Sequence, residues 1–493
     1  MSVTQFTVSF MHKPLSVLLT LVLTLGSAFA GQSPGSADAP DIPVSSRDRV
    51  YLSDQFSNTV SVVDPSTEKL LGVIRLGDLT PANLSPLYRG QLLVHGFGFS
   101  PDGTTIAAVS IGSNSVTFID TATNQIKHVS YVGRSPHEAT FSRDGSEVWV
   151  TVRGEDYVQV LDGHTFAEKD RITVPSGPGM AIFSPDGQYG FVVSSFTPMM
   201  VVVEVRTHRI VAHIPQTSPF SPDLAVTPDG RQLWFTLKDV GKTQVVSARP
   251  PFAPIAILET GPITNHVNFA RTAKGQFAYV SVGGRSEVQV YSTSDAPALV
   301  ATIPTGNLPH GVWPSGDGSR IYVGLENGNG VTAIDTATNT VITTIHVGQG
   351  PQGIAYVPNA VLNGDGTGHL TPLGDLGKSV HLNLSPVGAN PASPTSTTIA
   401  VDSQGLTDVL EAAVTGLEPK TPYLLALSSS ADGALPREAV AFFTTNPAGA
   451  AIVNAIGPLR KVAQPDAPSQ KRYFVIVAQT GDPMAAPLQL ERP

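Results

Sequence analysis

The chain has no cysteine among its 493 residues, and that absence removes whole classes of chemistry. Disulfides, thiolate catalysis, zinc–cysteine sites, iron–sulfur clusters and thioether-linked haem are all excluded. Charge is also sparse: Asp, Glu, Lys and Arg make up 14 % of residues, the net charge is −9, and no Lys/Arg-rich run occurs. A broad basic face for nucleic acid is therefore not expected. Amphipathic helical periodicity is almost missing. The one long apolar run, Leu15 to Leu25, is too short to remain as a membrane span. It follows His12-Lys13 and precedes Ala28-Phe29-Ala30, the pattern of a cleavable export signal. Cleavage is expected after Ala30, with the mature protein periplasmic or secreted and no transmembrane segment left.

What the chain has in quantity is turns, with 46 Gly and 41 Pro. The stretch from Gly96 to Gly145 shows how they are used. Phe97–Phe99 leads into Ser100-Pro101-Asp102-Gly103, where Pro presets φ, Asp binds the backbone ahead and Gly closes the turn. Short β-branched runs follow, at Ile106–Ile111 and Val116–Ile119, and Asp120-Thr121-Ala122-Thr123-Asn124 makes the next turn. Equivalent turn glycines recur at Gly103, Gly145, Gly187, Gly230, Gly275 and Gly318, at intervals of 42, 42, 43, 45 and 43 residues. Four short strands per period of this length indicate a β-propeller blade.

Counting strands predicts closure. The repeat opens at Val50 without a first strand, and an unpaired first strand stands at Gln352–Tyr356. Joined, these make a seventh blade and remove the open edges of the array. The expected fold is all-β, a seven-bladed propeller closed by its terminal strands with a C-terminal β-sandwich. Its expected divisions are a signal peptide at 1–30, a flexible lead at 31–47, the propeller at 48–358, a linker at 359–376 and the sandwich at 377–493.

The Ser-Pro-Asp-Gly turns at 100–103 and 184–187, Thr-Pro-Asp-Gly at 227–230, and the Val-Thr-x-Ile-Asp-Thr-Ala-Thr-Asn strings at 116–124 and 331–339 resemble the YVTN family of β-propeller repeat proteins. The resemblance covers roughly Val50 to Pro358 and implies a fold, not an activity. Leu417-Glu418-Pro419-Lys420-Thr421-Pro422-Tyr423 is similar to the tyrosine corner of fibronectin type III domains, in which the hydroxyl bonds back to the backbone.

Repeat phase places His95, His137, His266 and His310 at the entries to first strands, so all four should gather at one mouth of the central channel. Arg153 is expected on the same rim, with Glu138 and Asp223 beside it. These seven residues are the candidate ligand site. The four histidines are also the candidate ligands of a copper, zinc or calcium ion, since imidazole is the commonest side-chain ligand of copper and zinc. The competing reading makes the histidines structural caps. No nucleophile elbow, phosphate loop or dinucleotide fingerprint is present.

The expected function is binding or scaffolding of an unidentified protein or small molecule in the cell envelope. The alternatives are a metal-assisted hydrolase of the propeller-lactonase type, which would use Glu138, Asp223, Glu155 and His137 to activate water, or an accessory protein of a metal-dependent oxidoreductase.

Overall fold

The computed structural model describes residues 42–77, 92–390, 395–405, 407–480 and 484–492. The expected signal cleavage and the first part of the lead fall outside them. Seven four-stranded antiparallel sheets form the propeller, and one eight-stranded sheet follows. The second blade represents the rest, with strands Val94–Phe99, Thr105–Ser110, Ser115–Asp120 and Ile126–Tyr131. Its inner three strands are buried throughout except for Asp120, while most of the outer strand is exposed. That gradient is why the inner runs are continuously apolar rather than alternating.

The turns behave as their residues demand. Gly103 has φ +71° and donates its N–H to Ser100 O at 2.8 Å. Asp102 accepts from Thr104 N at 3.0 Å. On the same face, Asp120, Asp162 and Asp335 each accept from a backbone N–H three residues on, at 2.8 to 2.9 Å. The aspartates that recur in the repeat are thus turn caps.

Closure occurs as the strand count requires. Pro351–Val357 pairs with Arg49–Asp54, with Val50 opposite Tyr356 and Leu52 opposite Ile354. Tyr356 Oη donates to Asp48 Oδ2 at 2.5 Å.

Both connecting segments make contacts with the propeller. In the lead, Ile42 N donates to Gly316 O at 3.2 Å, beneath the blade that opens with Pro309–Pro314, and Ser45 N donates to Asp48 Oδ2 at 3.0 Å. The segment 359–376 is strapped to the propeller. Asn124 donates to Gly366 O and Gly368 O at 2.9 Å each, and Thr371 pairs with Val73 on the outer strand of the closing blade. The strap therefore climbs from the face of the aspartate turns to the opposite face, where Gln349 Nε2 donates to Lys378 O at 2.8 Å.

There the expected sandwich takes the form of one continuous antiparallel sheet. In spatial order its strands are Arg437–Thr444, Pro422–Ser428, Tyr473–Ala478, Pro487–Glu491, Ser379–Pro386, Thr397–Ser403, Asp408–Val414 and Ala451–Gly457. The sheet curls into a near-barrel around Leu384, Ile399, Leu410, Leu425 and Phe474. Tyr423 Oη accepts the Glu418 N–H at 3.1 Å, so the tyrosine corner is present.

Candidate functional site

The histidines reach the channel because of a repeated irregularity in the ladder. At the mouth end of the first strands, pairing skips two residues: between Val94 and Phe97, Pro136 and Ala139, Thr264 and Val267, and Pro309 and Val312. Such a bulge re-aims the unpaired side chains. His95, His137, His266 and His310 all lie in these gaps. The partner position is often glycine because neighbouring backbones crowd there. A Cβ on Gly96 would meet His137 O at 2.1 Å, and one on Gly311 would meet Gln352 O at 2.4 Å.

The four rings form an arc. The centroid of His137 lies 4.4 Å from that of His95, His95 lies 6.2 Å from His310, and His310 lies 4.6 Å from His266. Four blades thus bring imidazoles into one continuous row. His95 Nε2 and His137 Nε2 are 2.9 Å apart, His95 Nδ1 lies 3.1 Å from Gln55 Oε1, and His310 Nδ1 lies 3.3 Å from Gln352 O. His137 Nδ1 and His266 Nε2 are buried with no hydrogen bond of good geometry, and the Gly179 backbone lies close enough to His137 to favour its charged form slightly. Burial pushes His95, His137 and His310 well below the ordinary imidazole range, with the Arg153 charge adding to the effect on the first two. Burial and the Lys238 charge take His266 to about 3. At neutral pH the arc is uncharged.

The two acids expected beside the arc each bond a neighbouring blade, and Asp223 also keeps its Oδ1 3.7 Å from His266 Nδ1. Glu138 Oε1 accepts the Phe97 N–H at 2.7 Å, and Asp223 Oδ2 accepts the Val267 N–H at 2.7 Å. Each carboxyl joins its blade to a neighbour. Burial raises Glu138 well above the carboxylate range and Asp223 to about 8. Glu155 is held on the outer rim by Arg134 at 2.8 Å.

A second tier of side chains sits at one repeated place, the residue just after each second strand: Gln55, Arg153, Lys238 and Glu326. Arg153 is read from this place in the sequence; Lys238 and Glu326 occupy the same place and were not. Repeat position was the available signal, obscured because the residue type changes from blade to blade. Glu326 Oε2 lies 3.9 Å from His310 Nε2, and its Oε1 accepts from Gln352 Nε2.

The eight-stranded sheet roofs part of this mouth. Asn327 Nδ2 donates to Thr398 O at 3.1 Å, Gln404 Nε2 donates to Phe56 O at 2.7 Å, and Ala448 N donates to Asp239 O at 3.2 Å. Ile263 and Leu308 pack on Ala413 and Ala450. The roof also supplies Glu411, from the strand Asp408–Val414. Burial and the adjacent Glu326 push the Glu411 carboxyl well up. Burial also raises Glu326, against the pull of Lys238.

Among the described residues no group of three or more His, Asp or Glu side chains is arranged to hold a metal ion. Two ring nitrogens are spent on each other, so the arc offers hydrogen-bonding edges rather than a cage.

No family model matches the chain. Over an aligned length of 201 residues that covers 37 % of this chain, it is 26 % identical to Protein NirF of Stutzerimonas stutzeri and spans half the length of that relative. Among solved structures, a functionally unknown protein from Desulfotomaculum acetoxidans is similar over 62 % of this chain and 98 % of its own, with TM-score 0.54 and 12 % identity. Kuenenia stuttgartiensis hydrazine synthase is similar over 53 % of this chain and 88 % of that one, with TM-score 0.48 and 19 % identity. The likeness to the Desulfotomaculum protein is one of fold alone.

Proposed function

We propose that this protein is an exported binding protein, built on YVTN-type repeats, that holds a small molecule or a partner's side chain at the roofed mouth of its propeller. The observation that carries the reading is the arc of four uncharged imidazoles with two buried nitrogens that lack a hydrogen bond of good geometry. Buried polar atoms are nearly always paired in folded proteins, so orphans clustered at one mouth point to a missing partner. Export rests on the residues before Gly31. Among the described residues no helix is long and apolar enough to cross a membrane.

Metal-assisted hydrolysis draws less support, because Glu138 and Asp223 hold blade joints and Glu155 faces outward. An accessory role beside a metal-dependent oxidoreductase is compatible with this reading, since it asks only for binding. The test is native mass spectrometry of the protein purified from its own cells, with elemental analysis for copper, zinc and calcium. A bound mass is expected on the wild-type protein and should be lost when His137 and His266 are both replaced by Phe. Retention of that mass by the double variant would defeat the assignment.

A further inference from the structure

The mouth is electrically lopsided. Under the roof, Lys238 faces two acids, Glu326 and Glu411. Across from them Arg153 has no acid partner among the described residues, and burial pulls its guanidinium down from its ordinary range. The local acids are accounted for: Glu155 binds Arg134, and Glu138 binds the Phe97 N–H. Pairing of Pro136 with Val152 sets Arg153 at the strand end beside His137, whose Nδ1 is buried without a hydrogen bond of good geometry while the residue is only 4 % exposed. Arg153 is half-buried, and a half-buried guanidinium with no carboxylate partner is open to an anion. The contacts that hold the roof come from the closing blade and from the blades carrying Asp239, Ile263, Leu308 and Asn327, so the blades of His95 and His137 are where a ligand meets the arc.

We propose that the mouth takes an oxyanion, the carboxylate or phosphate of a small molecule, between the Arg153 guanidinium and the His95–His137 pair. This rests on the binding reading above and names its ligand class. Arginine's planar fork suits either group bidentately. His95 Nδ1 donates to Gln55 Oε1, so His95 Nε2 accepts from His137 Nε2–H, and His137 Nδ1 is left to accept from a hydroxyl of the same ligand, such as the P–OH of hydrogen phosphate.

Acetate and inorganic phosphate are the probes, titrated calorimetrically into full-length protein freed of co-purifying ligand. Saturable binding of one of them is expected, and which one binds separates a carboxylate from a phosphate. Arg153→Gln should weaken it tenfold or more, Arg153→Lys less, and Arg134→Gln on the outer rim not at all. Arg153→Lys also guards against a glutamine variant that fails to fold. Absence of saturable binding of both anions to the wild-type protein overturns the proposal, as does equal binding by Arg153→Gln. If instead the co-purified mass vanishes in the histidine double variant but persists in Arg153→Gln, the binding reading stands and the oxyanion assignment falls.

Discussion

His95 Nε2 and His137 Nε2 lie 2.9 Å apart, on adjacent blades. One ring must donate and the other accept, so the pair is stable only while at least one is neutral. Both folded pKa values lie below the unfolded value of about 6.5. Below that pH the unfolded chain binds more protons, so stability falls as pH drops through about 6.5, by roughly 1.4 kcal/mol per pH unit for each histidine. Urea unfolding between pH 7 and 5 should show this slope. Replacing both rings by Asn should flatten it by about two protons, and an unchanged slope would mean the pair is solvated.

Asp223 shows the opposite sign. Its folded pKa is raised to about 8, so the folded state holds a proton that the unfolded chain releases near pH 4. Stability is lost as pH rises from about 4 to 8, at roughly 1.4 kcal/mol per unit. Asp223→Asn keeps an oxygen for the Val267 N–H and carries no charge. The variant should therefore match the wild type near pH 4 and exceed it by pH 8, as read from denaturant midpoints at the two values.

The propeller is legible in the chain because its signals are local and repeated. Gly103 and its equivalents mark turns that need positive φ, and counting first strands from His95 to Gln352 gives the closing pair. The histidine mouth is legible for the same reason, since phase alone carries His95 and His310 to one end. Lys238 and Glu326 are harder to see, because their position repeats while their chemistry does not. Glu411 lies beyond local reasoning. It belongs to a sheet whose strand order depends on distant pairings, and it meets Glu326 only after the strap at 359–376 has crossed from one face to the other.

Gly96 tests whether crowding at the bulge sets the arc. A Cβ there would stand 2.1 Å from His137 O and 2.4 Å from Glu138 Oε2, and the first of these is backbone that cannot rotate away. Gly96→Ala should cost about 1–3 kcal/mol by overpacking and displace the His95–His137 pair. Chemical denaturation together with the imidazole NMR shifts of the two rings checks it. Gly275→Ala, which meets no atom within 4 Å but sits at φ +122°, would strain its own turn and leave those shifts unmoved.

Glu411 should govern how the roof sits. Burial and Glu326 push its carboxyl well up from the ordinary carboxylate range, so wherever it is protonated Glu411→Gln replaces one neutral hydrogen-bonding side chain with another and should change little. Raising pH is different. As Glu411 ionises beside Glu326, two buried negative charges face a single Lys238, and like charges in a low-dielectric setting repel strongly. The folded pKa lies above the unfolded one, so the contribution of the protonated form is lost as pH rises toward that value. The Ala448 N–H, which bonds Asp239 O across the two domains at 3.2 Å, reports on the contact directly. After correction for intrinsic rates, its exchange should accelerate as pH rises in the wild-type protein and stay slow in Glu411→Gln, while Glu411→Ala, which leaves a void next to Glu326, should exchange faster at every pH. Equal pH dependence in wild type and Glu411→Gln would show that the roof is held by its apolar contacts at Ala413 and Ala450 and not by the state of this carboxyl.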